Sequence, residues 1–109
     1  MTDSQPMLRN LMLDEYRTGI ASGDHVLLDV REDEEWAMGH VPGALHIPLY
    51  DLPECLSEVP QGKPVVVMCA SGVRSLYGGQ FLVESGFSDV YSLDGGINLW
   101  VRKGHPVER

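Results

Sequence analysis

Cys69 closes an apolar run, Val65-Val-Val-Met68, and is followed by Ala70-Ser-Gly-Val73 and then Arg74 and Ser75. A cysteine reacts as its thiolate, and the thiolate is favoured where backbone N–H groups and a helix N-terminus converge. The run before Cys69 has strand character and the residues from Ser75 onward have helical character, which sets the sulfur at a strand–loop–helix turn. The segment reads as a cysteine nucleophile inside an anion cradle formed by residues 70–75. Gly72 permits a backbone angle that a side chain would resist. Arg74 adds a permanent cation with a fork of donors, and the Ser75 hydroxyl is available to the thiolate. The bland alternative is a small buried cysteine at a strand end. Gly72, Arg74, Ser75 and the helix that follows outweigh it.

No general base accompanies the thiol. None of the four histidines, His25, His40, His46 and His105, has a spacing that marks a Cys–His dyad, and together they give no zinc signature. Activation therefore falls to the cradle itself, and the reading requires no metal and no cofactor. The net charge of -8 argues against nucleic-acid binding. It also repels an anionic substrate at long range, so Arg74 and the loop amides must supply the local positive potential.

The elements that position Cys69 follow from the patterning. Residues 1–8 are expected to form a flexible tail, with one domain over 9–109. Leu11, Leu13, Tyr16 and Ile20 have rough helical spacing before Gly23. His25–Val30 is a buried strand, and Glu32–Trp36 opens a helix whose acids read as a solvated, dipole-matched first turn. Leu45–Pro48 is a second strand, and Asp51–Glu58 a short helix interrupted near Pro53. Val65–Met68 is the central strand. Ser75–Ser85 is helical, with Leu76, Phe81 and Leu82 as core contacts and Gly86 as its stop. Val90–Leu93 is a further strand, and a last helix runs from Gly95-Gly96 through Trp100 toward Gly104. Alternating short apolar strands and helices imply an α/β fold with a parallel sheet covered on both faces. Two cysteines, Cys55 and Cys69, are too few for a disulfide framework. With no export signal in Met1–Pro6 and no membrane-length apolar run, they set the expectation of a reducing cytoplasm.

Four blocks in order resemble those of the single-domain rhodaneses, a family of sulfurtransferases. They are Leu27-Leu-Asp-Val-Arg31 with Glu35-Trp36, Gly39-His-Val-Pro-Gly-Ala44, Cys69-Ala-Ser-Gly-Val-Arg-Ser75, and Leu93-Asp-Gly-Gly-Ile97 with Trp100 and Gly104-His-Pro-Val107. The resemblance implies a five-stranded parallel sheet flanked by helices on both faces. It implies sulfane-sulfur transfer in which Cys69 takes sulfur from a donor such as thiosulfate, becomes a persulfide, and passes the sulfur to cyanide or a thiol. Arg74 would orient the donor's oxyanion. Phosphatases of the same fold carry a longer loop between Cys and Arg. The four residues between Cys69 and Arg74 therefore favour sulfur over phosphate or arsenate.

Asp29 and Arg31 are expected to fix loops at the sheet edge rather than to touch the reacting sulfur. His40 satisfies a turn, Trp36, Phe81 and Trp100 belong to the core, and Gly95-Gly96 forms a tight turn. Cys55 reads as an inert, partly buried thiol, with a resolving role as its alternative. The expected partners are a small anionic sulfur donor and a thiol or thioredoxin-like acceptor. A non-catalytic interaction module is the competing reading, against which stands the retention of Cys69, Gly72 and Arg74.

Overall fold

The computed structural model describes residues 7–109. In chain order the elements are β1 (Arg9–Leu11), α1 (Leu13–Thr18), β2 (Val26–Asp29), α2 (Asp33–Met38), β3 (Leu45–His46), β4 (Val65–Met68), α3 (Arg74–Glu84), β5 (Val90–Leu93) and α4 (Gly96–Arg102). The strands make one five-stranded sheet in the order β1-β5-β4-β2-β3, and every pairing is parallel.

Successive side chains on a strand face opposite sides, and the β4 run shows why it is apolar throughout. Val65 and Val67 join Val26, Leu28 and Val90 in one core, packed beneath Leu82 and Phe87. Val66 and Met68 join Leu27, Leu93, Tyr16 and Trp100 in the other. Both faces are covered, as a parallel sheet requires. From β2 the chain moves outward to β3, then returns across β2 to β4 and continues the other way to β5. The order thus reverses between β2 and β4, and in open parallel sheets the crevice for ligands forms at the carboxyl ends of such strands. Asp29 pairs with Met68 in the register, so the segments leaving β2 and β4 emerge side by side.

Three local expectations need correction. Leu11 lies in β1 rather than in a helix, and the helical spacing begins only at Leu13. This edge strand exposes Arg9 and Asn10 and buries only Leu11, so it has no apolar pattern to betray it. Arg9 is held there by Asp89 at 2.7 Å and by the Tyr91 ring. The short helix over 51–58 is instead two 3₁₀ turns, Leu49–Asp51 and Leu56–Glu58. Pro53 has no N–H to give the Leu49 carbonyl, which Leu52 N reaches at 3.2 Å instead. Leu76 is 45% exposed. The inward stripe of α3 is Ser75, Gly78, Gly79 and Leu82, and its small residues let the helix lie close to the sheet. A Cβ on Gly78 would stand 3.4 Å from Val67 and from Leu49. Of the expected tail, residues 1–6 lie outside the described residues, while Leu8 packs against the first core.

Candidate active site

Cys69 leaves the end of β4 and is 1% exposed. Its Sγ accepts hydrogen bonds from the Gly72 amide at 3.1 Å and the Ser75 amide at 3.3 Å. Two features aim those amides inward. Gly72 has φ +108°, where a side chain would be strained, and a Cβ there would lie 3.3 Å from Gly95 N. On the outer side, Ile97 N donates to the Cys69 carbonyl at 2.9 Å and Asn98 N to the Ala70 carbonyl at 3.0 Å. The first turn of α4 thus ties back the loop's carbonyls, leaving its N–H groups for the sulfur. The approach requires glycine at 96, because a Cβ there would lie 2.6 Å from the Ala70 carbonyl and closer still to that of Cys69.

Burial pushes the Cys69 thiol up. The Ser75 hydroxyl and the amides of Ser75, Gly72 and Ser71 outweigh it, so the thiol lies below its ordinary range. The Ser75 hydroxyl is shared: its Oγ also lies 2.7 Å from the buried Ser92 Oγ. Ser71 and Val73 are exposed on the rim, whereas Ala70 and Gly72 are half-buried. Cys55 stands in contrast. Its thiol is pushed up by desolvation and by the nearby carboxylates of Glu58, Asp51 and Glu54.

Arg74 lies at the loop's far end as expected, but its charge is matched. Its two terminal nitrogens donate to the two carboxylate oxygens of Glu35 at 2.7 and 2.9 Å. That side-chain bond holds the Glu35 carboxyl down at about 2. Glu35 is therefore not part of a solvated acidic turn. It is the third residue of α2, and its Oε1 also accepts the Glu32 amide at 2.9 Å, capping the helix. Behind it, Arg31 donates to the Glu35 carbonyl at 3.1 Å and to the Gly39 carbonyl at 2.8 Å. Arg31 is in turn gripped by both oxygens of Asp29, with both side chains buried. Asp29 and Arg31 thus fix the helix α2 that carries Glu35, and through it the guanidinium of Arg74. Trp36 is half-buried rather than central to the core, stacked between His40 at 3.7 Å and His46 at 4.5 Å. His40 bonds the Trp36 carbonyl within the turn.

Sequence reasoning missed Glu35, Ser92 and Gly96 as parts of this site. The spacing Glu32-x-x-Glu35 signalled a cap, but the partner of Arg74 arises only from the β2–β4 adjacency.

This arrangement of a buried thiol, a six-residue amide loop and a paired arginine can be set beside known proteins. The Rhodanese-like domain model matches residues 12–103. The chain belongs to the rhodanese family. It is 39% identical over 84 residues to a sulfurtransferase of Allochromatium vinosum, covering 77% of this chain and 78% of that one. It is 43% identical over 82 residues to the thiosulfate sulfurtransferase GlpE of Actinobacillus pleuropneumoniae, covering 75% and 76%. A crystal structure of a rhodanese-related protein from Thermoplasma volcanium superposes with a TM-score of 0.82 at 30% identity, over 92% of this chain and 97% of that one. These relatives place this rhodanese-family chain among sulfurtransferase-type enzymes. Among its described residues, no helix is long and apolar enough to cross a membrane.

Proposed function

We propose that the chain moves sulfane sulfur through a persulfide on Cys69. The observation that carries this reading is the pair of amides directed at Cys69 Sγ, from Gly72 at 3.1 Å and Ser75 at 3.3 Å. They favour the thiolate before transfer and offer N–H groups to an anionic terminal sulfur after it. With thiosulfate as donor, the thiolate attacks the outer sulfur. A new S–S bond forms, the old one breaks, and sulfite leaves with its electron pair. Cyanide or a thiolate then attacks the terminal sulfur, giving thiocyanate or an acceptor persulfide and restoring the Cys69 thiolate. Two displacements through one covalent intermediate give ping-pong kinetics.

The enclosed loop, with four residues between Cys69 and Arg74, suits a single sulfur atom. Asp29 and Arg31 act at a distance, through the helix they brace. A low-molecular-weight thiol or a thioredoxin-like protein is the natural acceptor, and both fit a reducing, cytoplasmic setting. The test is intact-mass analysis after incubation with thiosulfate. One added sulfur atom on Cys69, removed by cyanide with release of thiocyanate, is the expected result. A chain that takes sulfur from no donor yet binds a protein partner would instead be an interaction module.

A further inference from the structure

We infer that Glu35 sets the donor preference of this site, by neutralising the guanidinium of Arg74 and disfavouring doubly charged sulfur donors against donors of lower charge. The inference rests on the sulfurtransferase reading and deepens it.

Arg74 is the only cation within the loop of residues 70–75, and a donor's oxyanion would look to it first. Both of its terminal nitrogens already face Glu35. Glu35 is anchored at two points, by the Glu32 amide on its carboxylate and by Arg31 on its backbone carbonyl. It cannot swing away without uncapping α2. Arg31 offers no replacement, because Asp29 and the Glu35 and Gly39 carbonyls occupy it. The four side chains Asp29, Arg31, Glu35 and Arg74 therefore sum to zero charge. Beyond them stands a chain of net charge -8. What remains positive is the ring of loop amides, short-ranged and aimed at the sulfur. That is enough for a thiolate or a terminal persulfide sulfur, and poor for a dianion approaching a thiolate. Persulfides and other sulfane carriers whose reacting end bears at most one negative charge fit this environment better than thiosulfate does.

Electrostatic energy is linear in the donor's charge. Removing the Glu35 charge should therefore act on a dianion with the square of its effect on a monoanion. Glu35→Gln keeps an oxygen for the Glu32 amide and removes the charge, together with the acceptor that faces the second terminal nitrogen of Arg74. Sulfur loading of Cys69 is followed with thiosulfate and with a monoanionic aryl thiosulfonate, across a series of ionic strengths. We expect the thiosulfate KM to fall on the order of tenfold and the thiosulfonate KM about threefold, with kcat nearly unchanged. The gain should shrink with added salt. Glu35→Asp, which keeps the charge, should show no gain. Glu35→Ser removes the charge by another route and should shift the two donors in the same ratio, which guards against a folding defect peculiar to Gln. Equal changes for both donors, or a raised thiosulfate KM, would mean that Glu35 only positions Arg74, and would overturn the inference while leaving sulfur transfer intact. Loading of Cys69 by neither donor in the unaltered protein would remove the sulfurtransferase reading and this inference with it.

Discussion

Gly96 crosses directly behind the Cys69 loop, so near to Cys69 and Ala70 that no side chain fits between them. Its φ of +55° and the 2.6 Å that would separate a Cβ from the Ala70 carbonyl make two independent demands for glycine. The contact joins the first turn of α4 to the end of β4, and so couples the last helix of the chain to the orientation of the loop amides.

Gly96→Ala should therefore damage both stability and chemistry. A left-handed alanine costs about 1–2 kcal/mol by itself, and displacement of the loop backbone raises the total to about 3 kcal/mol. Urea unfolding should show a lower midpoint at an unchanged slope. The folded fraction should load sulfur more slowly, because the Gly72 and Ser75 amides lose their aim. An unchanged midpoint would show that the loop yields freely.

The two thiols of the chain should separate cleanly by function. Cys69→Ser should abolish sulfur loading without unfolding the protein, since a hydroxyl can accept the same two amides. Cys55→Ser should load at the wild-type rate, because its thiol faces carboxylates that hold it protonated. Intact-mass measurement of both variants decides the matter. Peroxide treatment with peptide mapping tests the resolving alternative: Cys55 as an inert thiol predicts no Cys55–Cys69 disulfide at any dose.

Much of this was legible in the sequence, for a reason that also marks the boundary. β4 is buried on both faces and apolar throughout, and β2 and β5 depart from that only at Asp29, Tyr91 and Ser92, so these strands stood out, and the Gly and Arg after Cys69 exposed the loop. β1 escaped notice because an edge strand with Arg9 and Asn10 outward carries no pattern. Its place is set by pairing with β5 and by Asp89, neither of which is local. Glu35 escaped for the same physical reason. Its partner is 39 residues away, and a run of acids at a helix start already has a sufficient local explanation. Leu76 was misassigned because a helix packed through glycines hides its buried stripe from a hydrophobicity reading.

Asp29 and Arg31 should be a stability determinant more than a chemical one. Both are buried, and the carboxylate takes three bonds from the Arg31 guanidinium besides one from its amide. Asp29→Asn strands a buried guanidinium and should destabilise by about 3–5 kcal/mol. Pairing it with Arg31→Met should cost less than the two single changes added together, because neither charge is then left alone. Strictly additive losses in a denaturant double-mutant cycle would count against the pair as a coupled unit.

Ser75 offers the sharpest test of how the thiol is activated. Its hydroxyl, its amide and the amides of Gly72 and Ser71 together lower the Cys69 thiol against the opposing pull of burial. Loading tracks the thiolate, so the rate should fall as pH drops through this lowered value and level off at a lower pH than for an ordinary thiol. The same sign governs stability. The lowered thiol contributes stability above its unfolded value, and this is lost as pH falls through the folded one. Ser75→Ala keeps the amide, loses the hydroxyl, and should move the half-rise of the loading rate to higher pH. It also leaves the buried Ser92 hydroxyl without its partner, at a cost of about 1–3 kcal/mol. Adding Ser92→Ala removes that orphan and should restore most of the stability while the pH profile stays displaced. If the profile of Ser75→Ala overlays that of the wild type, the amides alone activate Cys69 and the hydroxyl serves only to join α3 to β5.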